Sequence, residues 1–173
     1  APSANRFGQV SPTSAEHVIN DLGDTIDLVL DGGPCAIGIE STIVECTSST
    51  LQILRPGKVS ALDIAAITGL SISEMEGPSR APGMMIAHYA PNARVELCTS
   101  IGEATARRDT YVIRGVAAEV LHYENDTTYA LCLYDDLRSA DLRGSSVVLA
   151  VLPPDKGLGI AIRDRLSKAA ASN

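Results

Sequence analysis

The chain has 173 residues, of which 45% are hydrophobic and 20% charged, with a net charge of −7. This balance is that of a globular protein and excludes a disordered acidic chain, while no apolar run approaches the roughly 18 residues of a membrane span. Residues 1–76 hold three Lys/Arg against ten Asp/Glu, and residues 77–173 hold eleven of each. Neither half is therefore a basic nucleic-acid footprint.

The first segment, residues 1–76, is predicted to mix short helices and strands without regular alternation. Thr13 and Glu16 form a capping-box pattern, and Ser60 with Asp63 forms a second one. The predicted helices are 13–23 and 60–69, and the predicted strands are 26–30, 41–46 and 51–54. Such an irregular order favours an α+β unit over a parallel wound sheet.

After residue 93 strands and helices alternate, which predicts a parallel, Rossmann-like sheet covered on both faces. The predicted strands are 94–98, 110–113, 129–133 and 146–152, and the predicted helices are 100–108, 135–143 and 158–171. The last helix is expected to bury Leu158, Ala161, Ile162, Leu166 and Ala169. The chain as a whole is thus predicted to be α/β, with segments 1–76 and 94–173 joined by a linker, 77–93.

The linker contains Pro78, Pro82 and Pro91, which forbid a continuous helix or a central strand. It also carries His88 and Tyr89, which a passive spacer does not need. We therefore expect the linker to dock on one of the two segments. Nothing near His88 completes a catalytic triad, which argues against covalent catalysis.

Three polar clusters of the first segment could bind an anion. Ser3 and Asn5 lie in a Pro-led loop, Ser41 and Thr42 enter a strand after a glycine, and Arg55 leaves a strand at a rigid Pro-Gly turn. Hydroxyls, backbone amides and an arginine fork all suit phosphate or carboxylate. The alternative for each cluster is ordinary turn chemistry, strand packing or a surface ion pair.

The cysteines, Cys35, Cys46, Cys98 and Cys132, lack the Cys-x-x-Cys spacing of zinc or thioredoxin-type sites. We expect them to be reduced and largely buried, as in a cytoplasmic protein.

Taken together in this order, the motifs indicate a protein family more specifically than any single motif does. The segments APSAN, SPTSAEHVINDLG, IDLVLDGG, GIESTIV, ILRPG and APGM…HYAP resemble the threonylcarbamoyl-AMP synthase family, the two-domain YrdC-type enzymes. The closing GLGIAIRDRLSKAA is similar to the end of that family's Rossmann-like C-terminal domain. The resemblance implies a partial YrdC-like domain over 1–76, a linker or lid over 77–93 and a Rossmann-like domain over 94–173.

The resemblance also implies a nucleotidyltransferase that condenses L-threonine, bicarbonate and ATP into threonylcarbamoyl-AMP and pyrophosphate. Mg²⁺ would arrive with ATP, and tRNA would be served indirectly, through downstream transfer machinery. By resemblance, the ATP or adenylate site comprises Ser3, Asn5, Ser41, Thr42 and Arg55; threonine contacts Ser41 and His88; and Arg55, His88 and Tyr89 are catalytic. The family's N-terminal half is expected to be missing, so the isolated chain is expected to be inactive.

Two other function classes stay open. The chain could be a non-catalytic RNA-binding or ribosome-associated module, although a basic stripe is lacking in residues 1–76. It could also be a regulatory fragment that senses a small molecule through its Rossmann-like half.

Overall fold

The computed structural model describes residues 4–6, 8–47, 50–73 and 89–172. Its strands form two three-stranded sheets, one in each half of the chain. The strands are β1 Ile43–Glu45, β2 Leu51–Arg55, β3 Ile72–Ser73, β4 Arg94–Cys98, β5 Ala118–Leu121 and β6 Val147–Val151. The helices are α1 Ala15–Leu22, α2 Ala61–Thr68, α3 Ile101–Ile113, α4 Asp126–Leu142 and α5 Leu158–Ala170, and a 3₁₀ turn at Gly23–Thr25 follows α1.

The second sheet is parallel and has the order β4-β6-β5, as the strand–helix alternation predicts. All five residues of the central strand β6 are buried. Val147, Leu149 and Val151 pack on the α3 side, whereas Val148 and Ala150 join the core that includes α4 and α5. A continuous apolar strand is the pattern expected of a parallel sheet covered on both faces. The α/β fold class is therefore confirmed.

The first sheet has the order β1-β2-β3, with β1 antiparallel and β3 parallel to β2. This mixture confirms the α+β character of the first segment. The predicted capping box of α2 is present, because Ser60 and Asp63 exchange hydrogen bonds, and Gly69 ends the helix in the left-handed region. The boundaries of the three predicted segments stay a prediction.

Several local predictions are wrong. Residues 26–30 form no strand, and Leu28 and Leu30 are 75% and 85% exposed. Ser14 rather than Thr13 caps α1, since the Ser14 hydroxyl accepts from the His17 amide. Residues 110–113 continue α3, and 129–133 lie within α4, whose start is capped by Asn125.

The first segment docks on the outer surface of α4 and α5. Val10, Ile39 and Tyr89 belong to the same buried cluster as residues of those two helices. At Gly38, where φ is +83°, a Cβ atom would lie 2.2 Å from the Ala130 carbonyl oxygen in α4. The contact between the two halves therefore requires a glycine at this position.

No helix in the described part of the chain is long and apolar enough to cross a membrane.

Candidate active site

The two strand ends that the sequence singles out lie together in the structure. Arg55 closes β2 opposite Ile43, and its Nε donates to the Ser41 carbonyl oxygen at 3.1 Å. Its Nη2 lies 3.5 Å from Ser41 Oγ. Arg55 is 9% exposed, so its permanent charge is held in a partly dehydrated site at the strand edge.

The turn after Arg55 presses on the backbone of Ser41 and Thr42. A Cβ atom at Gly57 would lie 2.4 Å from the Thr42 amide nitrogen, so a larger residue would displace the turn. The Thr42 hydroxyl donates to the Val59 carbonyl oxygen at 2.7 Å. The Thr42 hydroxyl proton is thus engaged by the fold, whereas Ser41 Oγ faces the arginine.

Tyr89 brings the end of the linker to the same place. Its side chain is buried, and the Arg55 guanidinium lies near enough to act on the pKa of its phenol. Burial and the Glu40 carboxylate raise the pKa of Tyr89, although Arg165 and Arg55 act in the opposite direction. The phenol is therefore neutral at physiological pH and can act as a hydrogen-bond donor.

The backbone around Tyr89 is tightly constrained. Tyr89 has φ of +64°, a left-handed conformation that is rare for a residue other than glycine. The next amide, Ala90 N, donates to the Gly8 carbonyl oxygen at 3.1 Å, and Ala90 forms a parallel bridge with Gln9. Strained residues that neighbouring contacts hold in place occur often at functional sites.

The structure does not place all of the other predicted site residues next to Arg55. Asn5 Nδ2 donates within its own loop, to the Arg6 and Gln9 carbonyl oxygens. Asn5 Oδ1 is buried and has no hydrogen-bond partner among the residues that the structure describes. Ser3 and His88 lie outside the described residues.

Sequence reasoning missed the polar network behind the site. Glu40 accepts from Ser11 Oγ at 2.5 Å, from Tyr134 Oη at 2.9 Å and from Arg165 Nε at 2.9 Å. Burial opposes the ionisation of Glu40, but Arg165 and the hydrogen bonds outweigh it and hold its pKa below the usual value. The available signal was Arg165 itself, a charged residue on the apolar face of α5 beside Ile162 and Leu166.

The thiols and carboxylates suggest no further chemistry. All four cysteines are free; Cys98 is buried and Cys132 half-buried, but Cys35 and Cys46 are exposed, so the expectation of largely buried cysteines is wrong for those two. Within the described ranges, no group of three or more His, Cys, Asp or Glu side chains could hold a metal ion.

The fold and the site define an α/β protein with two sheets, in which a buried arginine lies against an exposed serine at a strand edge, close to a buried tyrosine. Residues 53–171 match the family model described as threonylcarbamoyl-AMP synthase, C-terminal domain, and residues 1–57 match the model described as telomere recombination. The chain belongs to the threonylcarbamoyl-AMP synthase family.

Relatives and solved structures agree with this assignment. The chain is 36% identical to a threonylcarbamoyl-AMP synthase of Bacillus subtilis and 34% identical to one of Pyrococcus abyssi, over 98% of this chain and 56% of each relative. The crystal structure of P. abyssi Sua5 complexed with L-threonine superposes with a TM-score of 0.83 at 32% identity, over 99% of this chain and 57% of that one. A P. abyssi variant with a histidine and the adjacent tyrosine replaced by alanine gives 0.82 at 31% identity. The chain thus spans little more than half the length of these relatives.

Proposed function

We propose that the protein carrying this chain is an L-threonylcarbamoyladenylate synthase, a nucleotidyltransferase acting on L-threonine, bicarbonate and ATP. The observation that carries the proposal is the buried Arg55, fixed against Ser41 at a strand edge and close to Tyr89. Full-chain similarity to proteins named threonylcarbamoyl-AMP synthase supports it. The P. abyssi relative was crystallised in complex with L-threonine, which supports threonine as a substrate here.

The reaction explains why the site contains donors and a cation rather than a protein nucleophile. The threonine amine combines with bicarbonate and loses water to form a carbamate, whose oxygen attacks the α-phosphorus of ATP. The bond from that phosphorus to the bridging oxygen breaks, and pyrophosphate leaves. The nucleophile is supplied by the substrate, so the protein must mainly position the reactants and stabilise negative charge.

Arg55 would stabilise the phosphate or carboxylate charge, and Ser41 Oγ beside it would bind the same group. Tyr89, being neutral, would donate a hydrogen bond close to Arg55. The unpartnered oxygen of Asn5 would accept from the nucleotide. Thr42 would shape the pocket through its backbone, because its hydroxyl already serves the Val59 carbonyl oxygen.

Ser3 and His88 keep the roles that the resemblance implies, Ser3 toward the nucleotide and His88 toward threonine. Mg²⁺ would enter as part of the substrate, bound to the ATP phosphates. The product would supply the threonylcarbamoyl group for an adenosine of tRNA, and we therefore expect the activity in the cytoplasm. Contact with tRNA would be indirect, which agrees with the net charge of −7.

The test is pyrophosphate release by the protein expressed from its complete coding sequence, with threonylcarbamoyl-AMP identified by mass spectrometry. Release should require threonine, bicarbonate and ATP together. Replacing Arg55 by alanine should lower kcat/KM at least about a hundredfold, because a fixed charge at the phosphate is lost. Arg94→Ala is the matched control, since Arg94 is a half-exposed arginine in a surface ion pair with Glu96.

ATP cleavage that does not depend on threonine and bicarbonate would contradict the proposal. The 173-residue chain alone should release no pyrophosphate, since it corresponds to little more than half of its relatives. Full activity of the chain alone would show that the predicted division of the active site is wrong.

A further inference from the structure

A buried charged network joins the first segment to the C-terminal domain directly behind the candidate site. Glu40 lies at its centre and is bound by Ser11, Tyr134 and Arg165. Arg165 is 1% exposed, and its Nη1 donates to Asp164 at 2.6 Å. The network therefore connects the loop before β1 to α5, across 125 positions of the sequence.

Stability alone does not explain such a network. Burying two opposite charges removes both from water, and well-packed apolar residues of similar volume are often as stabilising or more so. Buried ion pairs do, however, impose one geometry, because a displaced charge would be left unpaired in a medium of low polarity. Residues at the positions of Glu40 and Arg165 are thus held in place more strictly than an apolar contact would hold them.

The network reaches the candidate site by two routes. Along the backbone, Glu40 immediately precedes Ser41, whose carbonyl oxygen accepts from Arg55. Across space, the Arg165 guanidinium lies 5.4 Å from the centroid of the Tyr89 ring, and Tyr89 in turn lies close enough to Arg55 for the two to interact electrostatically. Both routes begin at Arg165 and end at Arg55.

Tyr134 strengthens the second route. Its ring stacks on Tyr89 with 5.5 Å between centroids and an interplanar angle of 28°, while its hydroxyl donates to Glu40. An aromatic pair in this arrangement and a cation over a ring both favour one ring position. Tyr89 is thus held between α4 and α5 in its left-handed backbone conformation.

We propose that Arg165, supported by Tyr134, is a positioning residue for the reaction. Through Glu40 and Tyr89 it places Ser41 and Arg55 for phosphate or carboxylate binding. The inference rests on the proposed function, and it assigns to the C-terminal domain the task of fixing the active-site geometry from behind. Arg165 touches no substrate and acts only through these neighbours.

The test compares two arginines that both join the halves of the protein. Arg165→Met removes the charge behind the site, whereas Arg138→Met removes contacts from α4 to Asp21 and to the Val10 and Ser11 carbonyl oxygens, and leaves the Ser11 hydroxyl that binds Glu40 in place. In the protein from the complete coding sequence, Arg165→Met should lower kcat/KM for synthesis at least about tenfold, since small misplacements of reacting groups are costly. Arg138→Met should leave it near the parent value.

A double-mutant cycle separates positioning from general loosening. In a Tyr89→Ala background, Arg165→Met should cause less further loss than it does alone, because one of the two routes through which it acts is gone. Hydrogen exchange followed by mass spectrometry should also speed up in peptides covering 41–45 and 51–55 in Arg165→Met, but not in Arg138→Met. Tyr134→Phe, which keeps the ring stack and loses one donor to Glu40, should show the same changes more weakly.

Equal losses in Arg165→Met and Arg138→Met, or full additivity with Tyr89→Ala, would overturn the positioning role while leaving the proposed function intact. If Arg165→Met does not fold, unchanged kinetics and unchanged exchange in Tyr134→Phe overturn it instead. A parent protein without threonine-dependent synthesis would refute the proposed function, and this inference with it.

Discussion

Replacing Gly38 by alanine tests how the two halves of the protein are held together. A Cβ atom at this position would lie 2.2 Å from the Ala130 carbonyl oxygen and 2.4 Å from the Leu131 Cα atom, both in the backbone of α4. Helix backbone cannot rotate away as a side chain can, so the loop must shift. We expect about 1–3 kcal/mol for the overpacking, and about 1–3 kcal/mol more for alanine in the left-handed region.

Gly33 provides the matched control. It has φ of +85°, nearly that of Gly38, but nothing lies within 4 Å of a Cβ atom built on it. Gly33→Ala therefore carries the backbone cost without the clash, and the difference between the two variants isolates the contact with α4.

The measurement is urea denaturation followed by circular dichroism, with limited proteolysis to detect release of the first segment. We expect Gly38→Ala to be less stable than Gly33→Ala by about 1–3 kcal/mol. It should also be cleaved faster in residues 23–42. Equal stability of the two variants would refute the close approach of this loop to α4.

Three further predictions concern other parts of the chain. The pKa of Glu40 is lowered in the fold, so the ionised carboxylate should stabilise the protein fully above about pH 5. This stabilisation should be lost as the pH falls through the pKa of Glu40 in the unfolded chain, about 4.3, and then through its lower pKa in the folded protein. The slope of unfolding free energy against pH should therefore be reduced in Glu40→Gln. Ser60→Ala should cost about 1 kcal/mol, measured by denaturation, because the N-cap of α2 is lost. Cys35 and Cys46 should react with a thiol reagent in the folded protein, whereas burial, which also raises the pKa of the Cys98 thiol, should protect that residue until unfolding.

The position of Arg55 gives the C-terminal domain a physical connection to the site. Arg55 belongs to the first segment, yet Tyr89, which lies near it, is packed against Tyr134 and Arg165 of the C-terminal domain. A change in α4 or α5 can therefore alter the site without touching it.

Local cues predicted those elements whose stabilising contacts lie within a few residues. The predicted capping box at Ser60 is present, and the helix predicted from residue 100 does begin there, with Ser100 as its N-cap. The apolar run of β6 and the periodic face of α5 were also recognised, because burial on both faces of a strand or one face of a helix leaves a regular pattern.

Predictions failed where the outcome depends on partners distant in sequence or on a helix cap outside the predicted segment. Residues 26–30 have an apolar pattern, but no described strand lies beside them to accept their hydrogen bonds. Residues 129–133 form a short apolar run, which does not distinguish a buried strand from a buried helix; Asn125 accepts from the Thr127 and Thr128 amides and begins a helix that includes them. No glycine or proline separates the first turn of α3 from residues 110–113, so nothing in the sequence ends the helix before them. The Thr110 hydroxyl donates to the Ala106 carbonyl oxygen within the helix.

The α/β class, the family and the proposal that Ser41, Arg55 and Tyr89 share a site could all be predicted from the order of residues along the chain. Each of these depends on short motifs or on regular burial patterns that are legible along the chain. The network of Glu40, Tyr134 and Arg165 next to that site became visible only in the folded chain. A buried ion pair between residues 125 positions apart leaves no periodic pattern, because each charge is tolerated only once the other has been folded against it.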